Sequence, residues 1–245
     1  MKRAMLSMAA ALAAGCSPNP PESARDGVEA AREWARPPVI ERVDRTGPAL
    51  VVSGLAEPDA RVVLRGADDT AFAAAADSRG RFEVRVPAPA GHLLLRPETQ
   101  AGQDSAPSPD RLLILESGRG PIVMLRTGGA TRRLDAAPAL GAVDGDGRMR
   151  LASGAVSPGT AAVEVQSGGE ILRVVPDAGG RWSVILPPRD GPESIRVAGR
   201  EFLWPGEAGG SSGLVAERTD AGWRVRWTGP GGARQTTWLP DRVPS

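Results

Sequence analysis

Two stretches decide the fold: "DSRGRFEVRVP" at residues 77–87 and "DAGGRWSVILP" at residues 177–187. In the first, Phe82, Val84 and Val86 alternate with Arg81, Glu83 and Arg85. In the second, Trp182, Val184 and Leu186 keep the same parity. A period of two predicts a strand with one buried face. The Asp-x-x-Gly in front of each strand supplies the residue types that a tight turn needs.

The two stretches are 100 residues apart, and other positions repeat at that offset. "SGLAEP" begins at Ser53 and "SGAVSP" at Ser153. Val43 and Asp44 match Val143 and Asp144, Gly47 matches Gly147, Pro58 matches Pro158, and Gly91 matches Gly191. Val51 and Leu151 share parity on the strand entering the Ser-Gly pair. The chain is therefore an internal duplication of a unit the size of a small β-sandwich. One place breaks register. Ala60, Val62 and Leu64 alternate in the first copy, whereas Ala161, Val163 and Val165 alternate in the second. A real slip turns core side chains to solvent. The reading is a one-residue insertion at the Pro158 turn, offset where "RGADDT" becomes the tighter "QSGG".

The first copy predicts strands near 39–43, 49–53, 60–65, 70–76, 81–86, 91–96 and 111–115. Short strands with frequent turns make an all-β sandwich. The run from "VVSGLAEPDARVVL" through "ADSRGRFEVRVP" to "DRLLIL" resembles bacterial Ig-like repeats of envelope and adhesin proteins. Transthyretin-like and carboxypeptidase-regulatory-like sandwiches share similar phrases and stay open. The resulting organisation has Ig-like domains at 39–116 and 139–206. A linking hairpin spans 117–138 and a C-terminal β-hairpin segment spans 207–245. A faint echo, "GPIVMLRT" from Gly120 and "GLVAERT" from Gly213, suggests that each sandwich carries an appended hairpin.

The N-terminus reads as a processing signal. Lys2 and Arg3 precede an apolar run from Ala4 to Ala14, interrupted by Ser7. About eleven residues are too few to cross a bilayer and suit a signal peptide. Leu12-Ala13-Ala14-Gly15-Cys16 resembles the lipobox of bacterial lipoproteins, with Ala13 where that family prefers leucine. The resemblance implies removal of residues 1–15 and lipidation of Cys16 on its sulfur and new amino group. Acyl chains anchor at about 0.8 kcal/mol per buried methylene. Ser17 implies, by the same resemblance, the outer membrane, facing the periplasm. Pro18, Pro20 and Pro21 open a tether over 16–38. Val28, Ala31 and Trp34 recur at helical spacing within it, until Pro37 and Pro38.

Chemistry is sparse. The chain has 30 basic and 29 acidic residues, and loss of Lys2 and Arg3 with the signal leaves 28 basic ones. That balance gives no overall footprint for nucleic acid. His92 is the sole histidine and Cys16 the sole cysteine. No nucleophile signature accompanies His92, so a hydrolase is the least favoured reading. A zinc site lacks ligands, and no cofactor is expected. "VDGDGRM", with Asp144 and Asp146, resembles a calcium loop but lacks its spaced oxygen ligands, so a turn is expected. In "GWRVRWTGPGGARQTTWLP", Trp223, Val225 and Trp227 fall on one strand face, Arg224 and Arg226 on the other, and Trp238 on the return strand. The first reading is that the tryptophans cover the edge or end of the second sandwich. The functional reading is that Trp223, Trp227 and Trp238 form a face for a glycan or protein partner. The expected function is a membrane-anchored, non-catalytic binding or scaffolding module. Glycan or peptidoglycan binding through the tryptophans is the second reading.

Overall fold

The computed structural model describes residues 35–67, 69–189, 191–207 and 213–242. The segments read as a signal peptide and a short helix, and Cys16, lie outside them. Residues 35–38 have no regular structure. Among the described residues the regular elements are antiparallel strands and two single 3₁₀ turns, at Glu116–Gly118 and Pro230–Gly232.

The first copy contains β1 (Val39–Thr46), β2 (Ala49–Leu55), β3 (Arg61–Arg65), β4 (Ala71–Ala75), β5 (Arg81–Pro87), β6 (Leu93–Ala101), β7 (Asp104–Pro107) and β8 (Arg111–Ile114). The linker adds β9 (Ile122–Leu125) and β10 (Arg132–Arg133). One sheet runs β1-β2-β5; the facing sheet runs β10-β9-β8-β6-β3-β4, with β7 also on β6. The second copy contains β11 (Ala142–Gly145), β12 (Arg150–Ala155), β13 (Val163–Ser167), β14 (Glu170–Val174), β15 (Arg181–Leu186), β16 (Glu193–Val197) and β17 (Arg200–Trp204). The C-terminal strands are β18 (Val215–Thr219), β19 (Gly222–Thr228) and β20 (Arg234–Pro240). Its sheets run β15-β12-β11-β20-β19-β18 and β14-β13-β16-β17.

The repeated motifs fold identically, for the same physical reason. Asp77 Oδ1 accepts the backbone N–H groups of Arg79 and Arg81; Asp177 Oδ1 accepts those of Gly179 and Arg181. Gly80 and Gly180 take φ of +77° and +80°, which favours glycine. The Ser-Gly glycines serve a close approach. A Cβ on Gly54 sits 2.0 Å from the Val39 carbonyl oxygen, and one on Gly154 sits 1.9 Å from that of Ala139. Gly154→Ala should therefore cost about 1–3 kcal/mol, as overpacking against backbone does. Gly91→Ala, with nothing within 4 Å of its Cβ, should be near neutral; equal urea midpoints for the two variants would contradict this.

The parity shift is real. Val62 and Leu64 point into the first core, and Val163 and Val165 into the second. Residues 66–70 join β3 to β4, where Arg65 pairs with Ala71. In the second copy only Gly168 and Gly169 intervene between the paired Ser167 and Glu170, both with positive φ. Such a two-residue turn matches hairpin twist.

Two expectations change. The polar stretch 97–110 falls between the strands expected at 91–96 and 111–115, yet it extends β6 and forms β7. Glu98 holds this hairpin by accepting from Arg65 Nε (2.8 Å), Gln100 Nε2 (2.8 Å) and Ser105 Oγ (2.9 Å). The Arg65 hydrogen bond leads the effects that lower the Glu98 carboxyl to about 2. The echo between Gly120 and Gly213 is not structural. β9 adds to the facing sheet beside β8, whereas β18 lies at the far edge of the β11 sheet, beyond β19 and β20.

Candidate functional site

The linker and C-terminal strands build a seam between the sandwiches. In β8 and β9, Leu112, Ile114, Ile122 and Met124 enter the first core. The alternate residues, Leu113, Leu115, Val123 and Leu125, turn outward and meet Ala142, Trp223, Val225, Trp227 and Leu239. The result is a third apolar core between the repeats.

This places the three candidate tryptophans. Trp223 is 6% exposed, Trp227 2% and Trp238 1%. They form no surface platform, and they do not share a face. The β19–β20 register pairs Arg224 with Trp238 and Trp223 with Leu239. Trp223 and Trp227 therefore face the first copy, while Trp238 enters the core of the second. Glycan stacking on these rings loses its surface. The arginine face is also less exposed than expected. Arg224 donates to the Pro205 carbonyl (3.1 Å), and Arg226 ion-pairs with Glu217 across the β18–β19 pair.

His92 sits at the rim of the seam. Its ring meets Trp223 edge to face, with centroids 5.2 Å apart, and its Nδ1 accepts the Glu116 N–H at 3.2 Å. Arg218 lies 5.7 Å from the Trp223 ring on a cation–π approach.

Asp144 lies beneath the seam. Its Oδ2 accepts the Thr131 N–H (2.7 Å), and its Oδ1 accepts the hydroxyls of Thr131 (2.6 Å) and Thr237 (2.7 Å). Trp227 Nε1 donates to Thr237 Oγ1 at 3.4 Å, and Ser153 Oγ donates to the Thr131 carbonyl. The linker, β11, β12, β19 and β20 are thus tied through one carboxyl group. Its repeat counterpart, Asp44, has a side chain 49% exposed and pairs with Arg42. The difference is topological: β20 covers the β11 edge and the linker covers its outer face. Burial pushes the Asp144 carboxyl up to about 6, against the three hydrogen bonds that favour its ionised form. Asp146 is turn chemistry, as expected, its Oδ1 accepting the N–H groups of Arg148 and Met149. Among the described residues no group of three or more His, Cys, Asp or Glu side chains converges on a common point.

Sequence reasoning missed Arg150, which stands where the first copy has Leu50. It is 2% exposed, lies 4.4 Å over the Trp204 ring and reaches Glu193 at 3.3 Å. A comparison of repeat positions 50 and 150 carries that signal. It also missed a cleft of about 730 Å³ between the linker and the outer face of β12 and β15. Arg126, Arg132, Arg133 and Arg181 line it, with Asp135 and Asp177. Arg133 is taken by Asp135 at 2.6 Å, and the same aspartate accepts Arg242 at 2.7 Å.

Compared with known proteins, the chain matches no family model and no curated sequence.

Proposed function

We propose that this chain is a lipid-anchored protein of the bacterial cell envelope. It acts as a non-catalytic binding or scaffolding module that presents two welded sandwiches as one body. The observation that carries the scaffolding part is the seam of Leu113, Leu115, Val123 and Leu125 against Trp223, Val225 and Trp227. Tandem repeats joined only by a flexible linker move independently by default; a dry apolar interface fixes their relation. The anchoring part is supported by Lys2, Arg3, the apolar run and the Leu12–Cys16 lipobox resemblance. Ser17 extends the proposal to the outer membrane, facing the periplasm. Among the described residues no helix is long and apolar enough to cross a membrane. The hydrolase reading has less support, because the contacts of His92 are those of a seam residue.

Metabolic labelling with radioactive palmitate tests the anchor. Wild type should incorporate label, and Cys16→Ala should remain unlabelled and retain its signal peptide. An unlabelled wild-type protein would remove the anchor from the proposal.

A further inference from the structure

The cleft beside the seam has a counterpart in the first copy, and the two differ in charge. The counterpart is lined by Glu41, Arg42, Ser53, Gly54, Arg81, Phe82 and Glu83. Its two arginines are balanced by two glutamates. At the same repeat positions the second copy has Gly141, Ala142, Ser153, Gly154, Arg181, Trp182 and Ser183. Both acids are gone, one arginine is kept, and the linker brings three more over the top. Four arginines then face two aspartates. Asp135 is saturated by Arg133 and Arg242. Asp177 spends Oδ1 on the backbone of its own turn.

The remaining guanidinium groups are poorly matched. Arg126 meets Asp110 only at 3.4 Å. Arg132 donates to the Ile40 carbonyl, and among the described residues neither Arg132 nor Arg181 has a carboxylate within ion-pair distance. Burial lowers the Arg132 pKa, and the charges of Arg181 and Arg126 lower it further, against the smaller opposing pull of Asp110 and Glu41. Three guanidinium groups thus line one half-enclosed space, with Asp110 beside one of them at 3.4 Å. Its volume falls in the usual range of ligand sites, about 300–1,000 Å³. Guanidinium forks match tetrahedral and planar oxyanions, and a dianion offsets two of these charges where a single carboxylate offsets one. Val174, Val175 and Pro176 add an apolar wall.

We propose that this cleft binds a phosphate group, held by Arg126, Arg132 and Arg181. The near-neutral balance of the whole chain conceals the site, because the sign change is local to seven repeat positions and the linker above them. The site does not depend on the lipid anchor, so failure of palmitate labelling leaves it standing, and the reverse holds.

The test is calorimetric titration of the full chain in mild detergent at fixed ionic strength. The probes are inorganic pyrophosphate and dihexanoyl phosphatidic acid below its micelle concentration, with chloride as the blank. Saturable binding of either probe is expected. Pyrophosphate alone binding identifies a soluble phosphate; phosphatidic acid alone identifies a lipid headgroup. Ser183→Glu restores the acid of the first copy at an exposed position, and it should weaken binding at least tenfold, as should Arg181→Ser. Glu83→Ser, at the counterpart, should leave affinity unchanged. Absence of saturable binding by wild type, or equal affinity in wild type and Ser183→Glu with unchanged circular dichroism, would overturn the proposal.

Discussion

Trp227→Ala is expected to destabilise the protein by about 3–5 kcal/mol, the usual cost of removing a large buried aromatic side chain. Trp227 is 2% exposed and lies in the third core, with apolar partners from both the linker and the C-terminal strands. Its loss leaves a cavity between two well-packed sandwiches, and neither can collapse into it without moving as a unit. The Thr237 hydroxyl also loses the indole N–H that it accepts. The variant should therefore uncouple the repeats as well as weaken the fold. Urea denaturation followed at separate probes in each copy should give coincident curves for wild type and separated curves for the variant. A variant with an unchanged midpoint would show that Trp227 carries no seam.

The second large effect is pH-dependent and belongs to Asp144. Its folded pKa, about 6, lies above the 3.8 of an ordinary aspartate side chain. A carboxyl raised in the folded state favours folding in its protonated form. Its contribution is fully present below the unfolded pKa and is lost as pH rises through the folded value. A shift of this size corresponds to about 3 kcal/mol, lost between roughly pH 4 and pH 6. Asp144→Asn should abolish that loss. The asparagine carbonyl oxygen can accept the Thr131 N–H, and its amide can donate to the Thr131 and Thr237 hydroxyls, which rotate to receive it. Stability at pH 7 should then match or exceed wild type. The measurement is unfolding free energy from pH 4 to pH 7 for both proteins. An identical pH slope in the two would contradict the assignment.

The fold was largely legible because its main signals are local. Alternation in 81–86 and 181–186 fixed core faces, and Asp77 and Asp177 fixed the turns before them. The duplication then exposed the shift between Val62 and Val163. What stayed hidden was which sheet edge each added strand would join. β9 goes to β8 and β20 to β11, and such pairings are set by non-local packing rather than by either hairpin's own sequence. The grouping of Trp238 with Trp223 and Trp227 failed for this reason: parity holds along one strand, while the face shared across two strands depends on their register. One signal was present. "LLIL" at 112–115 and "IVML" at 122–125 are unbroken apolar runs, the pattern of strands buried on both faces. Read that way, they call for a second layer outside the first sandwich. The cleft was legible only by comparing the copies, where Glu41 and Glu83 become Gly141 and Ser183.

The described residues between 35 and 242 fold as one body whose two sandwiches share a third core. Differential scanning calorimetry of the wild-type chain tests it most directly. A single transition, with equal calorimetric and van't Hoff enthalpies, is the predicted result. Two resolved transitions, each with the enthalpy of one sandwich, would contradict it.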